Sequence, residues 1–200
     1  MIQSFKSMVP VIDESSFIHP LAVVIGHVTI GPNCYIGPGA VLRGDWGKII
    51  LHAGCNVQEN AVIHMFPQEQ VVLNEGAHIG HGAMIHGAWI GEQVMVGMNS
   101  VVLDEVVIQK ESIVGALSLV KAKSHWKPRS LIVGNPATLK GTVSDEMIEH
   151  KIEGTRLYQN LPQDMHQFSE EVQPLRDGTT SRPEDFPTFD TWHNRKSNRG

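Results

Sequence analysis

Residues 16–42 read SFIHPLAVVIGHVTIGPNCYIGPGAVL, and an aliphatic residue returns at every sixth position: Ile18, Val24, Ile30, Ile36 and Leu42. Two residues before each stands a small or β-branched one: Ser16, Ala22, Val28, Cys34 and Ala40. A second block keeps the rule with Ile90, Val96, Val102, Ile108, Val114 and Val120, and Leu51, Val57, Ile63, Leu73, Ile79 and Ile85 run between the blocks. A period of six is neither that of an α-helix nor that of an alternating strand. It fits short parallel strands wound round a triangular prism, three hexads to a coil, each repeated aliphatic pointing inward. A meander of antiparallel strands would not hold one phase over so many hexads.

The phase slips mark insertions. Leu42 to Leu51 adds three residues around Asp45-Trp46-Gly47, and Ile63 to Leu73 adds four around Met65-Phe66-Pro67-Gln68. Loops leaving a rigid scaffold are where function concentrates. The hexads are expected to stop at Val120, with 121–130 a basic loop. Ser144-Asp145-Glu146 then opens a helix, with an N-cap serine and first-turn acids. It is expected to end at Gly154, with a second helical stretch over 155–161. The organisation expected is a β-helix over 1–135, a C-terminal helical segment over 136–176 and a flexible polar tail over 177–200.

Sixteen Lys and Arg against 21 Asp and Glu give a net charge of −5, which argues against nucleic acid as a partner. No run of apolar residues is long enough to span a membrane, and residues 1–14 lack the basic start and apolar stretch of a signal peptide. The expectation is a cytoplasmic protein with no membrane partner. Cys34 and Cys55 fall one coil apart and are expected to be reduced core thiols.

Eleven histidines stand in 200 residues. The register stacks Ile63 above Leu42 and Ile85 above Ile63, so Arg43, His64 and His86 form one column. Adjacent coils lie about 4.8 Å apart, a spacing at which two imidazoles can share a metal. His81 follows Ile79 and so lies on the preceding face, with Gln58 and Asn99. It can complete a site only if a second prism packs alongside, and cyclic repetition of that contact closes as a homotrimer with sites at the subunit interfaces. His19, His27, His52, His78, His125, His150, His166 and His193 are read as surface residues.

The set Arg43-Gly44-Asp45, Asn56-Val57-Gln58-Glu59, His64 and His81-Gly82-Ala83-Met84-Ile85-His86 resembles the γ-class carbonic anhydrase family. The resemblance implies a left-handed parallel β-helix with a C-terminal α-helix, assembled as a homotrimer. It implies His64, His81 and His86 as ligands of Zn2+ (or of Fe2+ or Co2+), with Gln58 and Asn99 bonded to the metal-bound solvent. It also implies Arg43, Asp45 and Glu59 as an intersubunit network, with Glu59 standing where the family usually has Asp. Arg43-Gly44-Asp45-Trp46-Gly47-Lys48, Val96-Gly97-Met98-Asn99-Ser100, Gly154-Thr155-Arg156-Leu157-Tyr158-Gln159 and Gln173-Pro174-Leu175-Arg176 resemble one branch more closely, that of the phenylacetic acid degradation protein PaaY and the carnitine operon protein CaiE.

A three-histidine metal with one open position lowers the pKa of bound water to about 7, as in carbonic anhydrase itself. The substrates that suit such a site are CO2 and the carbonyl of an acyl-CoA thioester, the latter in phenylacetate catabolism. Trp46 beside the site, with Glu69 the one carboxylate of the 65–70 loop, leaves no evident proton shuttle. Two other readings use the same fold. A hexapeptide-repeat acyltransferase, which Gly134-Asn135-Pro136-Ala137 also fits, needs one basic histidine and no metal. A non-catalytic scaffold subunit needs none of the ligands.

Overall fold

A computed structural model describes residues 1–176, 178, 182–184 and 186–197, the side chains of 196 and 197 excepted. The repeat folds as a parallel β-helix. One face carries Phe17–Ile18, Tyr35–Ile36, Asn56–Val57, His78–Ile79, Met95–Val96, Ile113–Val114 and Ser130–Gly134, edged by the antiparallel strand Ala137–Thr142. The other two faces are continuous with each other, because the long strands Val23–Ile30 and Val41–Leu51 turn the corner between them.

The register is the one the hexads dictate. Leu42 pairs with Ile63, Ile63 with Ile85, Ile85 with Val102 and Val102 with Val120, all fully buried. The small residues two places earlier, including Ala40, Ala61, Ala83 and Ser100, are buried beside them. Each fully buried aliphatic contributes roughly 1.5–3 kcal/mol of transfer free energy, so the column forms a continuous stabilising core. Ser16, Ser100, Ser112 and Ser118 stand where an apolar small residue could, and each hydroxyl is satisfied by backbone groups of neighbouring coils. Cys34 and Cys55 are buried free thiols, donating to the carbonyls of His52 and Asn74.

Several sequence expectations are corrected. The hexads do not stop at Val120: Trp126 stacks on Ile108 and Ile132 on Val114, so 121–130 is most of a further coil rather than a loop. The C-terminal segment expected from 136 opens with the strand Ala137–Thr142. Only then does helix α1 begin, and it runs unbroken over Asp145–Phe168. Ser144 is its N-cap, its side chain accepting from the Met147 N–H, and Asp145 and Glu146 fill the first turn.

Neither Gly154 nor Pro162 stops it. A glycine inside a helix costs about 1 kcal/mol relative to alanine, and burial of Ile148, Lys151, Thr155 and Pro162 against the prism outweighs it. Part of the 177–200 tail lies outside the described residues. Among those described, Trp192–Ser197 is a short helix, α2, Phe189 stacks on His150, and Arg195 pairs with Glu153 at 2.6 Å.

Candidate functional site

His64 and His86 end the strands Val62–His64 and Met84–His86 and are direct register partners, their rings 5.4 Å apart in a T-shaped arrangement. Residues of the two inserted loops pack on them, Trp46 on His64 at 5.1 Å and Phe66 on His86 at 4.9 Å between ring centres. Arg43 lies in the coil before His64, its Nη2 2.8 Å from His64 Nε2 and its Nε 3.3 Å from Asp45 Oδ1. Asp45 Oδ1 is also 3.2 Å from His64 Nε2. Burial, and then the Arg43 charge, hold the His64 pKa below its ordinary value, so the ring is kept neutral.

His81 lies on the preceding face, as its register requires. Its Nδ1 is 2.5 Å from Glu59 Oε2, and the Tyr35 hydroxyl donates to Glu59 Oε1 at 3.2 Å. Glu59 therefore belongs, within one chain, with His81 rather than with Arg43 and Asp45. Asn99 sits on the coil above, donating its N–H to the His81 carbonyl at 2.9 Å. Gln58 is buried, its Nε2 donating to Asn56 Oδ1 at 3.0 Å and to His78 Nε2 at 2.6 Å.

Imidazoles that bind a divalent cation present one unprotonated nitrogen while a carboxylate or carbonyl holds the other N–H. His81 and His86 have that arrangement. Glu59 holds Nδ1 of the first, and Asp104 Oδ1, at 2.5 Å, holds Nδ1 of the second, so in each Nε2 is the nitrogen that carries the lone pair. A neutral imidazole donor set suits Zn2+, Fe2+ or Co2+. His64 Nε2 accepts from Arg43 in this chain, so a cation taken at that nitrogen displaces the guanidinium. Among the described residues, no three His, Cys, Asp or Glu side chains of the single chain converge on one cation position. The donors fit the group, and one chain does not assemble them.

Sequence reading missed two contributors. Asp104, at the next corner of the coil above His86, could have been placed by counting one more coil. His78, expected at the surface, is instead packed between Gln58 and helix α1, its Nδ1 3.5 Å from Thr155 Oγ1 and its ring edge-on to Tyr158. Burial, reinforced by the Lys151 charge, pushes its pKa down to about 3. His150 also leaves the surface class, half-buried against Phe189, whereas His166 stays exposed with its ring edge-on to Phe17.

A parallel prism of hexads bearing paired imidazoles at its corner defines a hexapeptide-repeat protein, and the model for "Bacterial transferase hexapeptide (six repeats)" matches residues 10–44. The carnitine operon protein CaiE of Shigella dysenteriae is 43% identical over 180 residues, covering 90% of this chain and 92% of that one. The chain belongs to the CaiE family of hexapeptide-repeat proteins, a γ-carbonic anhydrase-like group. CaiE of Escherichia coli K12 matches with the same identity and coverage. Among solved structures, a hexapeptide transferase family protein from Anaplasma phagocytophilum is 32% identical with a TM-score of 0.78, over 82% of this chain and 96% of that one. AntD, an N-acyltransferase from Bacillus cereus, is 18% identical with a TM-score of 0.60, over 74% and 90%, and shares the fold alone. No helix among the described residues is long and apolar enough to cross a membrane.

Proposed function

We propose that the chain is a divalent-metal hydrating or hydrolytic enzyme of the γ-carbonic-anhydrase type. In this reading it works as a homotrimer whose sites take His64 and His86 from one subunit and His81 from the next. The observation that carries it is the pair of carboxylate-held imidazoles, His86–Asp104 and His81–Glu59, with His64 in register beside His86. A Zn2+, Fe2+ or Co2+ ion on three imidazoles supplies Lewis acidity that makes water acidic near neutrality.

The chain's own residues do the rest. Gln58, its amide N–H groups held by Asn56 and His78, presents Oε1 as an acceptor that orients the attacking water. Asn99 donates from the same face, and Arg43 draws in an anionic group. Asp45 and Glu59 position Arg43 and His81. With CO2, water adds to carbon to give bicarbonate and one proton. With a thioester, the water oxygen joins the carbonyl carbon and the carbon–sulfur bond breaks. The electron pair leaves with sulfur, giving carboxylate, thiol and one proton. Cytoplasmic handling of CoA thioesters in phenylacetate catabolism is the setting this reading assigns.

A second reading, acyl transfer, is favoured by the transferase name of the Anaplasma relative. Metal analysis of the purified protein, with assays on CO2 and a panel of CoA thioesters, separates the two. Activity that disappears on chelation and returns with Zn2+, Fe2+ or Co2+ is expected. Full activity in metal-free protein, or thioester loss only when an acceptor is added, overturns the metal reading.

A further inference from the structure

Two cavities meet on the face that carries His81. One, of about 290 Å³, is bordered by Gln58 and His81. The other, of about 490 Å³, lies between that face and helix α1. His78, Met95 and Tyr158 line both, so the space beside Gln58 and His81 adjoins the one under the helix at these three side chains. There its walls are mainly apolar, with Ile113, Met147 and Leu157 added beside His150 and Lys151.

Protein interiors are close-packed, and an apolar gap forfeits dispersion contacts on its whole lining. Polar contacts fix where the helix docks on either side of this gap. Lys151 Nζ donates to the Gly76 carbonyl at 2.6 Å and to Gln93 Oε1 at 2.7 Å, and Gln159 Nε2 donates to the Gly54 carbonyl at 3.3 Å. Gly154, on the helix between these anchors, lines the cleft, and the Phe189 ring closes over it there. The volume is in the range of small-ligand sites, and two of its walls are methionines, which adapt to the shape of a guest.

CO2 needs no such space. We propose that the cleft under helix α1 binds the apolar acyl group of a thioester substrate, medium-chain or aromatic, whose carbonyl lies at the Gln58–His81 end. This rests on the thioester branch of the function proposed above and selects it over CO2.

Binding can be read without turnover. The full-length protein is titrated calorimetrically with free coenzyme A and with its butyl and octyl thioethers, which cannot be hydrolysed. Affinity is expected to rise about fourfold per methylene, the equivalent of roughly 0.8 kcal/mol for each buried CH2. Leu157→Trp and Met147→Trp, each checked for an unchanged melting profile, should flatten that dependence. In protein labelled with 13C at the methionine methyls, the Met95 and Met147 signals should shift with the octyl thioether while those of Met1 and Met8 do not, a readout that needs no variant to fold. Affinity independent of chain length, or unmoved Met95 and Met147 signals, overturns the proposal. Tight, chain-length-dependent binding at these methionines without hydrolysis of the matching thioester supports the cleft and overturns the catalytic reading instead.

Discussion

Gln58 and His78 share a 2.6 Å contact in which the glutamine Nε2 donates to the histidine Nε2. That direction is fixed chemically. An amide nitrogen can only donate, so Nε2 of the neutral His78 accepts and its Nδ1 keeps the N–H, facing the Thr155 hydroxyl. The amide of Gln58 cannot rotate without losing both Asn56 and His78. Replacing His78 by Leu should leave the β-helix folded but free the amide to flip. If Gln58 orients the attacking water, kcat should fall about tenfold, the equivalent of one hydrogen bond of roughly 1–1.5 kcal/mol, with KM little changed. Steady-state kinetics beside a thermal melt checks this, and an unchanged kcat removes Gln58 from the mechanism.

The same neutral ring makes stability depend on pH. His78 titrates near its ordinary value when unfolded and at about 3 when folded. Between those values the unfolded chain binds a proton that the native chain does not. Its contribution to stability is therefore complete above about pH 6.5 and is lost, at about 1.4 kcal/mol per pH unit, as pH falls toward 3. Denaturant midpoints from pH 7 to pH 4 should fall less steeply in His78→Leu than in the parent.

Lys151 acts at the alkaline end. Burial lowers its pKa to about 7, and among the described residues no carboxylate lies within ion-pair reach. From pH 7 to about 10 the unfolded chain is protonated where the native one is not, so stability should rise with pH in that window. Lys151→Met should abolish the rise while loosening helix α1, whose Gly76 and Gln93 acceptors lose their donor. Chemical denaturation at pH 7, 8.5 and 10 measures both effects.

Asp104 holds Nδ1 of His86 at 2.5 Å. If His86 is a ligand, Asp104→Ala should weaken metal binding about 10- to 100-fold without unfolding the chain. Calorimetric titration of the stripped protein with Zn2+ reads the change directly. Equal affinities in variant and parent would take His86 out of the ligand set.

The origin of the ligands is open to a mixing experiment. A His81→Ala chain keeps His64 and His86, and a His64→Ala chain keeps His81. Refolded together in equal amounts, they should regain about a quarter of the metal sites by random assembly of a cyclic trimer. No recovery, with chain exchange verified by mass, would place all three ligands elsewhere.

Much of this was legible in the chain itself. In a parallel coil the hexad period fixes both side-chain direction and stacking, so the pairing of Leu42, Ile63 and Ile85 could be counted, and His64 beside His86 followed with it. The last coil was legible too: Ser124 and Ser130 stand two places before Trp126 and Ile132, but an aromatic in the aliphatic position and flanking lysines hid the phase. Helix α1 was legible at its start, where Ser144 caps it, and not at its end, because Gly154 and Pro162 read locally as stops. Only the tertiary structure decided how that helix meets the face. Lys151 reaches Gly76 across 75 residues, and Thr155 and Tyr158 reach His78, through contacts that no repeat propagates. Periodicity sets what stacks within the prism. What docks on its outside depends on the complementarity of two surfaces, and that turned His78 from an exposed histidine into the residue that holds Gln58.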